Sequence, residues 1–167
     1  MSIPSILHCR SPNSKLNVGL IGVGGRGRGH VNACKNENII SLCDVNYNNL
    51  KGAQRIAPNA RTYKDLRDFC GKLDDLDAVV VSTTEHTHAF ATLPALKAGK
   101  HVLTEQPMAS TVAQSVRLVD GANTRGLIYS VGYMRLHDEG IQKAKTMLDE
   151  LVRTGELGAI TFVRMHC

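Results

Sequence analysis

A glycine-rich run, Gly22-Val23-Gly24-Gly25-Arg26-Gly27, follows directly on an apolar stretch from Leu16 to Ile21. Glycines at this spacing allow a tight turn and let backbone N–H groups come close to a phosphate. A helix opening in the loop adds partial positive charge from its N-terminus. Asp44 ends the next apolar run, twenty residues beyond Gly24. A carboxylate there can accept hydrogen bonds from the ribose hydroxyls of a dinucleotide. It would repel a 2′-phosphate, so NAD is favoured over NADP, while Arg26 and Arg28 keep NADP open. The plainer alternative is a strand–turn–helix connection in which Asp44 caps a helix.

Two further segments carry polar groups after apolar runs. Ser82-Thr83-Thr84-Glu85-His86-Thr87-His88 follows Asp77 to Val81, and Thr104-Glu105-Gln106-Pro107 follows Lys100 to Leu103. Ligands of parallel sheets sit at the carboxyl ends of the strands. Thr83 and Thr84 can contact a cofactor there or cap the next helix. Glu105 can reach a ribose or cap the helix expected from Ser110, and Pro107 fixes a turn. His86 and His88 have H-x-H spacing, but no third ligand of suitable spacing accompanies them, so no metal site is expected.

The elements that must position these groups alternate. Strands are expected at Leu16–Ile21, Ile39–Cys43, Asp77–Ser82, Lys100–Leu103 and Leu127–Val131. Helices are expected from the glycine loop to Lys35, over Asn46–Ala57, in a short turn over Tyr63–Cys70, over Thr87–Ala98, and from Ser110 to Thr124. Strand–helix repetition implies parallel pairing with right-handed crossovers, an α/β doubly wound sheet. Ile141, Ala144, Leu148, Leu151 and Val152 then mark one face of another helix. Ile160–Met165 alternates like a half-buried strand. The expected organisation is a disordered leader over 1–15, the sheet domain over 16–135, and the truncated start of a second α/β domain over 136–167. Its apolar face would need a partner, so a homo-oligomer is open.

Bulk properties narrow the class. The chain has 167 residues, 43% hydrophobic, with a formal charge of +5. Its lysines and arginines are scattered and it has no tryptophan, which argues against nucleic acid. No apolar run is long enough to span a membrane. Five cysteines without C-x-x-C spacing suit reduced thiols and a cytoplasmic setting.

Taken together, several motifs resemble the N-terminal half of the Gfo/Idh/MocA oxidoreductases. They are Leu20–Gly27 with His30, Cys43-Asp44, Ser82–His88, Ala98–Pro107 and Val131-Gly132-Tyr133-Met134-Arg135. The resemblance covers Leu16 to the end of the chain. It implies a Rossmann domain followed by an α/β domain, NAD or NADP as cofactor, and hydride transfer with a sugar, polyol or related hydroxyl compound. By motif match Gly22, Gly24, Gly25, Arg26 and Gly27 would hold the pyrophosphate and Asp44 the ribose. Thr83, Thr84 and His88 would border the cofactor. Glu105 and Pro107 would lie near its nicotinamide half, and Arg135 falls in a segment that returns to the cleft.

Two departures bear on chemistry. Where the family usually has Glu-Lys-Pro, with lysine at the active site, this chain has Gln106. Glutamine hydrogen-bonds but neither carries charge nor titrates. The usual proline after Thr83 is Thr84. The family's other acid–base residues belong to the second domain. Besides the oxidoreductase, two readings stand: an NAD-dependent glycosidase with a similar Gly-Gly-Arg-Gly loop, and a non-catalytic dinucleotide-binding protein or fragment.

Overall fold

A computed structural model describes residues 14–156 and 158–162. Six parallel strands form one sheet: β1 (Asn17–Ile21), β2 (Asn38–Cys43), β3 (Arg61–Tyr63), β4 (Ala78–Val81), β5 (His101–Thr104) and β6 (Tyr129–Val131). Their order is β3-β2-β1-β4-β5-β6. The chain thus builds outward from β1 in one direction and then restarts beside it with β4. That reversal leaves a crevice at the carboxyl ends of β1 and β4.

Helices connect the strands: α1 (Gly25–Ala33), α2 (Tyr47–Gln54), α3 (Leu66–Cys70), α4 (His88–Lys97) and α5 (Val112–Asn123). The strands are apolar because both faces are covered. Alternate side chains go to opposite faces. Val79 and Val81 pack with Phe69, Ala91, Ala95, Leu96 and Leu118 from α3, α4 and α5. Leu20 and Val80 pack with Val31, Leu50 and Ala53 from α1 and α2. Burial pushes the Cys43 thiol up to about 12, with nearby Cys70 and acidic side chains adding to it. Cys34, Cys43 and Cys70 are all free thiols, whereas Cys9 and Cys167 lie outside the described residues.

The strand register decides what the sheet gathers. Ile21 is level with Cys43 and with Val81. Val81 is level with Thr104, and Thr104 with Val131. One row of backbone hydrogen bonds follows these levels: Gly22 N–H to Cys43 O, Ser82 N–H to Ile21 O, Glu105 N–H to Val81 O and Gly132 N–H to Thr104 O, each 2.8 Å. The residue after each strand therefore leaves the sheet on the same edge.

Three expectations need correction. Tyr63–Cys70 is not a single helical turn. It divides into the end of β3 and α3, because Asp65 caps α3 by accepting the Arg67 N–H at 2.8 Å. The helix expected from Ser110 is capped by Thr111, whose hydroxyl accepts the Gln114 N–H at 3.2 Å. Of the strand expected over Ile160–Met165, residues 160–162 are not in a strand, and the rest lies outside the described residues, as does the leader up to residue 13.

The chain divides into two compact units after Gly132. In the second, α6 (Glu139–Thr154) starts at Asp138, whose carboxylate accepts the Ile141 N–H, and stops at Gly155 with φ of 77°. Its apolar Met147 and Val152 are exposed. Among the described residues no helix is long and apolar enough to cross a membrane.

Candidate cofactor-binding site

The glycine loop is shaped by close approach. Gly22 has φ of 78°, and a Cβ on it would stand 2.6 Å from the Ser82 carbonyl. At Gly27 a Cβ would stand 1.7 Å from the carbonyl oxygen of Gly22. The first turn of α1 can lie on the loop only because neither residue has a side chain. Gly25 differs: with φ of 44°, its missing Cβ would meet nothing within 4 Å. The loop is thus packed from below and open above.

Asp44 holds that loop in place. Its Oδ2 accepts the N–H of Val23 at 2.9 Å and of Gly24 at 3.2 Å. Its Oδ1 accepts the Asn46 N–H at 2.8 Å, and the Asn49 amide donates to both oxygens at 3.2–3.3 Å. Asp44 is not the cap of α2; Asn46 is, accepting the Asn48 N–H. Arg28 faces carbonyls rather than the open side. Its Nε donates to Val23 O at 3.2 Å and its Nη2 to Asn49 O at 2.8 Å.

Across the crevice, Glu105 is the hub. Its Oε1 accepts Arg26 Nε–H at 2.9 Å and lies 2.7 Å from His30 Nε2, and its Oε2 accepts the Gln106 N–H at 3.3 Å. Burial opposes its ionisation. The hydrogen bonds from Arg26, His30 and the Gln106 backbone outweigh that and hold its pKa below the ordinary value. A Cβ on Gly132 would stand 3.2 Å from the carboxylate, so β6 closes tightly over it. Glu105 neither caps α5 nor points into open space.

His88 is buried, with Nδ1 2.6 Å from Pro107 O and Nε2 3.0 Å from Thr83 O. The Gln106–Pro107 peptide is cis. Thr92 on α4 and Thr104 on β5 share a buried hydroxyl hydrogen bond of 2.8 Å. Gln106 and Thr84 are exposed. Arg135 lies in the second unit, exposed, within a 3₁₀ turn over Met134–His137.

The arrangement fits a dinucleotide on three counts. First, α1 begins directly from the glycine loop without a side-chain cap or an acidic residue in its first turn; α4 also lacks a side-chain cap but continues a 3₁₀ turn over Glu85–Thr87, and α2, α3, α5 and α6 are capped by side chains. An anion is the missing complement to such an end. Second, the buried hydroxyls of Ser82 and Thr83 have no partner among the described residues, and buried polar groups are rarely left so. Third, a cavity of about 250 Å³ opens at this edge, lined by Gly22, Asp44, Lys64, Thr83 and Thr84 among others. A larger groove, about 570 Å³, runs along α5 past Val112, Val116 and Val119. It shares no residue with the loop or with the smaller cavity. Among the described residues no group of three or more His, Cys, Asp or Glu could hold a metal ion.

Residues 16–133 match the Gfo/Idh/MocA oxidoreductase family, described by its NAD-binding Rossmann fold. The chain belongs to this family. This Gfo/Idh/MocA chain is 32% identical over 155 residues to the inositol 2-dehydrogenase of Klebsiella pneumoniae, covering 89% of itself and 44% of that enzyme. It is 34% identical over 158 residues to the inositol 2-dehydrogenase of Gluconacetobacter diazotrophicus, covering 90% of itself and 45% of the relative. Among solved structures it resembles myo-inositol dehydrogenase from Lactobacillus casei in complex with NAD(H) and myo-inositol. The TM-score is 0.73 at 31% identity, over 83% of this chain and 42% of that one. The chain thus spans less than half the length of these relatives.

Of the residues singled out from sequence, the sheet edge brings together the glycine loop, Asp44, Thr83, Thr84, Glu105, Gln106 and Pro107. Asn49 and Lys64 escaped the reading, and His30 entered it only within the family motif, without a role. His30 stands four residues after Arg26, on the same face of α1. Asn49 and Lys64 follow strands that carry no glycine signature.

Proposed function

We propose that the chain is the nucleotide-binding half of an NAD(H)-dependent oxidoreductase that transfers hydride to or from a polyol or sugar hydroxyl. The observation that carries this is the common strand register. It sets an uncapped helix N-terminus, an open glycine loop, a carboxylate at the end of β2 and two buried hydroxyls without a partner among the described residues along one crevice. The names of the relatives, inositol dehydrogenases, support the substrate class.

In this reading Gly22, Gly24, Gly25, Arg26 and Gly27 receive the pyrophosphate at the start of α1. Asp44 faces the adenosine ribose while bracing the loop. Thr83 and Thr84 border the cofactor, with His88 behind them, and Glu105 and Pro107 frame its other end. The bound nicotinamide supplies the hydride chemistry. Arg28 is turned to carbonyls beside Asp44, which supports NAD over NADP. The segment from residue 136 onward is read as the start of a substrate and oligomerisation domain, and the free thiols suit a cytoplasmic enzyme.

Calorimetric titration of the full chain with NADH tests the binding claim. Measurable heat at submillimolar ligand is expected, and its absence at millimolar ligand sinks the reading. A second reading, a dinucleotide-binding protein without turnover, is favoured by Gln106, which cannot relay a proton from its exposed place beside the cis-proline. Activity gained on Gln106→Lys in a protein carrying the second domain would decide against that second reading as the ancestral state.

A further inference from the structure

We propose that His88 is a positioning residue for the nicotinamide end of the site, acting by tying the loop after β4 to the loop after β5. This rests on the dinucleotide reading above. His88 opens α4 and is buried to 1% exposure, so it touches no ligand directly. Its two ring nitrogens address two different loops, Pro107 O at 2.6 Å and Thr83 O at 3.0 Å. Carbonyl oxygens only accept, so each contact is a hydrogen bond when that nitrogen carries a proton. A neutral ring satisfies one of them and a doubly protonated ring both.

The segment it grips is held from the other side as well. Glu105, two residues before Pro107, is anchored to α1 through Arg26 and His30. Gln106 therefore sits between two fixed points. Asp44 at the end of β2 marks the adenosine side of the crevice, so a dinucleotide laid across the switch point puts its nicotinamide over the ends of β4 and β5. The loops joined by His88 are the ones beneath that half.

The experiment compares two ligands, NADH and ADP-ribose, which lacks the nicotinamide. Fluorescence and calorimetric titrations are made on the wild-type chain, on His88→Phe and on His88→Asn. Phenylalanine fills the space without donors; the asparagine amide can replace Nδ1 alone. His88→Phe is expected to weaken NADH about tenfold, the effect of leaving a buried acceptor unpaired. ADP-ribose affinity is expected to stay within about twofold. His88→Asn, which keeps the Pro107 bond, is expected to lose less NADH affinity than His88→Phe. If His88→Phe fails to fold, His88→Asn must still lose NADH selectively. Equal loss of both ligands, or no loss in a folded variant, overturns the proposal. Wild-type chain that binds neither ligand overturns the dinucleotide reading and this inference with it.

Discussion

The two sides of the crevice are built by different physics. On the β2 side, backbone geometry does the positioning. Gly22 and Gly27 touch atoms that no Cβ would tolerate, and Asp44 binds backbone N–H groups only 20 and 21 residues away. On the β5 side, side chains do it. Glu105 reaches Arg26 and His30, 79 and 75 residues earlier, and the ring of His88 stands between two carbonyls. The first side should therefore fail on added volume and the second on lost donors or charge.

The sharpest break on the first side is Gly27→Ala. The methyl group would lie 1.7 Å from a backbone oxygen, with no flexible side chain able to yield. We expect a loss of about 3 kcal/mol of folding stability, at the upper end for overpacking, together with loss of NADH binding. Urea denaturation and NADH titration measure both. A variant as stable as wild type would mean that α1 does not rest on the loop.

Next in size is Asp44→Ala. It leaves the Val23 and Gly24 N–H groups without their acceptor and removes the proposed ribose partner. NAD affinity is expected to fall about thirtyfold, the worth of charge-assisted hydrogen bonds near 2 kcal/mol. NADP is expected to lose much less, because the repulsion of its 2′-phosphate disappears too. Equal losses for both cofactors in parallel titrations would refute the ribose assignment.

The same contrast explains what could be read from the sequence. The β2 side was legible because its constraints are local. Glycine spacing and an acid at the end of the next strand encode the turn and its brace within a few tens of residues. Even there, Asn49 was invisible, since an asparagine inside α2 carries no mark of the carboxylate it meets. The β5 side was legible only as candidates. Glu105 read equally as a ribose ligand or a helix cap, and neither describes its contacts with Arg26 and His30. That pairing depends on the register that levels β5 with β4 and β4 with β1. The missed strand β3 has a related cause. Arg61-Thr62-Tyr63 is short, polar and at the edge, so no run of buried residues announces it.

On the β5 side the informative change is Glu105→Gln, which keeps shape and removes charge. At neutral pH it is expected to cost about 1.5 kcal/mol in unfolding free energy, since hydrogen bonds to Arg26 and His30 lose their charge assistance. Burial alone would raise the Glu105 pKa, but the hydrogen bonds hold it below the ordinary 4.5. Its contribution is thus present above about pH 4.5 and is lost as the carboxylate protonates below that value. The gap between wild type and Glu105→Gln should shrink as the pH falls from 7 toward 3. A gap that stays constant across that range, in urea melts, would show that charge is not what holds this side.

The smallest effect separates bracing from ligand contact on the β2 side. Arg28 is a cation within the glycine loop region, and from sequence it is a natural partner for a 2′-phosphate. In the fold its guanidinium instead bridges Val23 O and Asn49 O and fills the space above Gly52, where a Cβ would stand 2.4 Å from it. Replacing it by leucine should cost about 1 kcal/mol or less of stability, the net worth of such bonds. The ratio of NAD to NADP affinity should stay within about twofold. If NADP alone weakened by about tenfold or more, Arg28 would leave its carbonyls when the phosphate arrives. The β2 side would then choose its cofactor by a mobile cation as well as by the fixed carboxylate of Asp44.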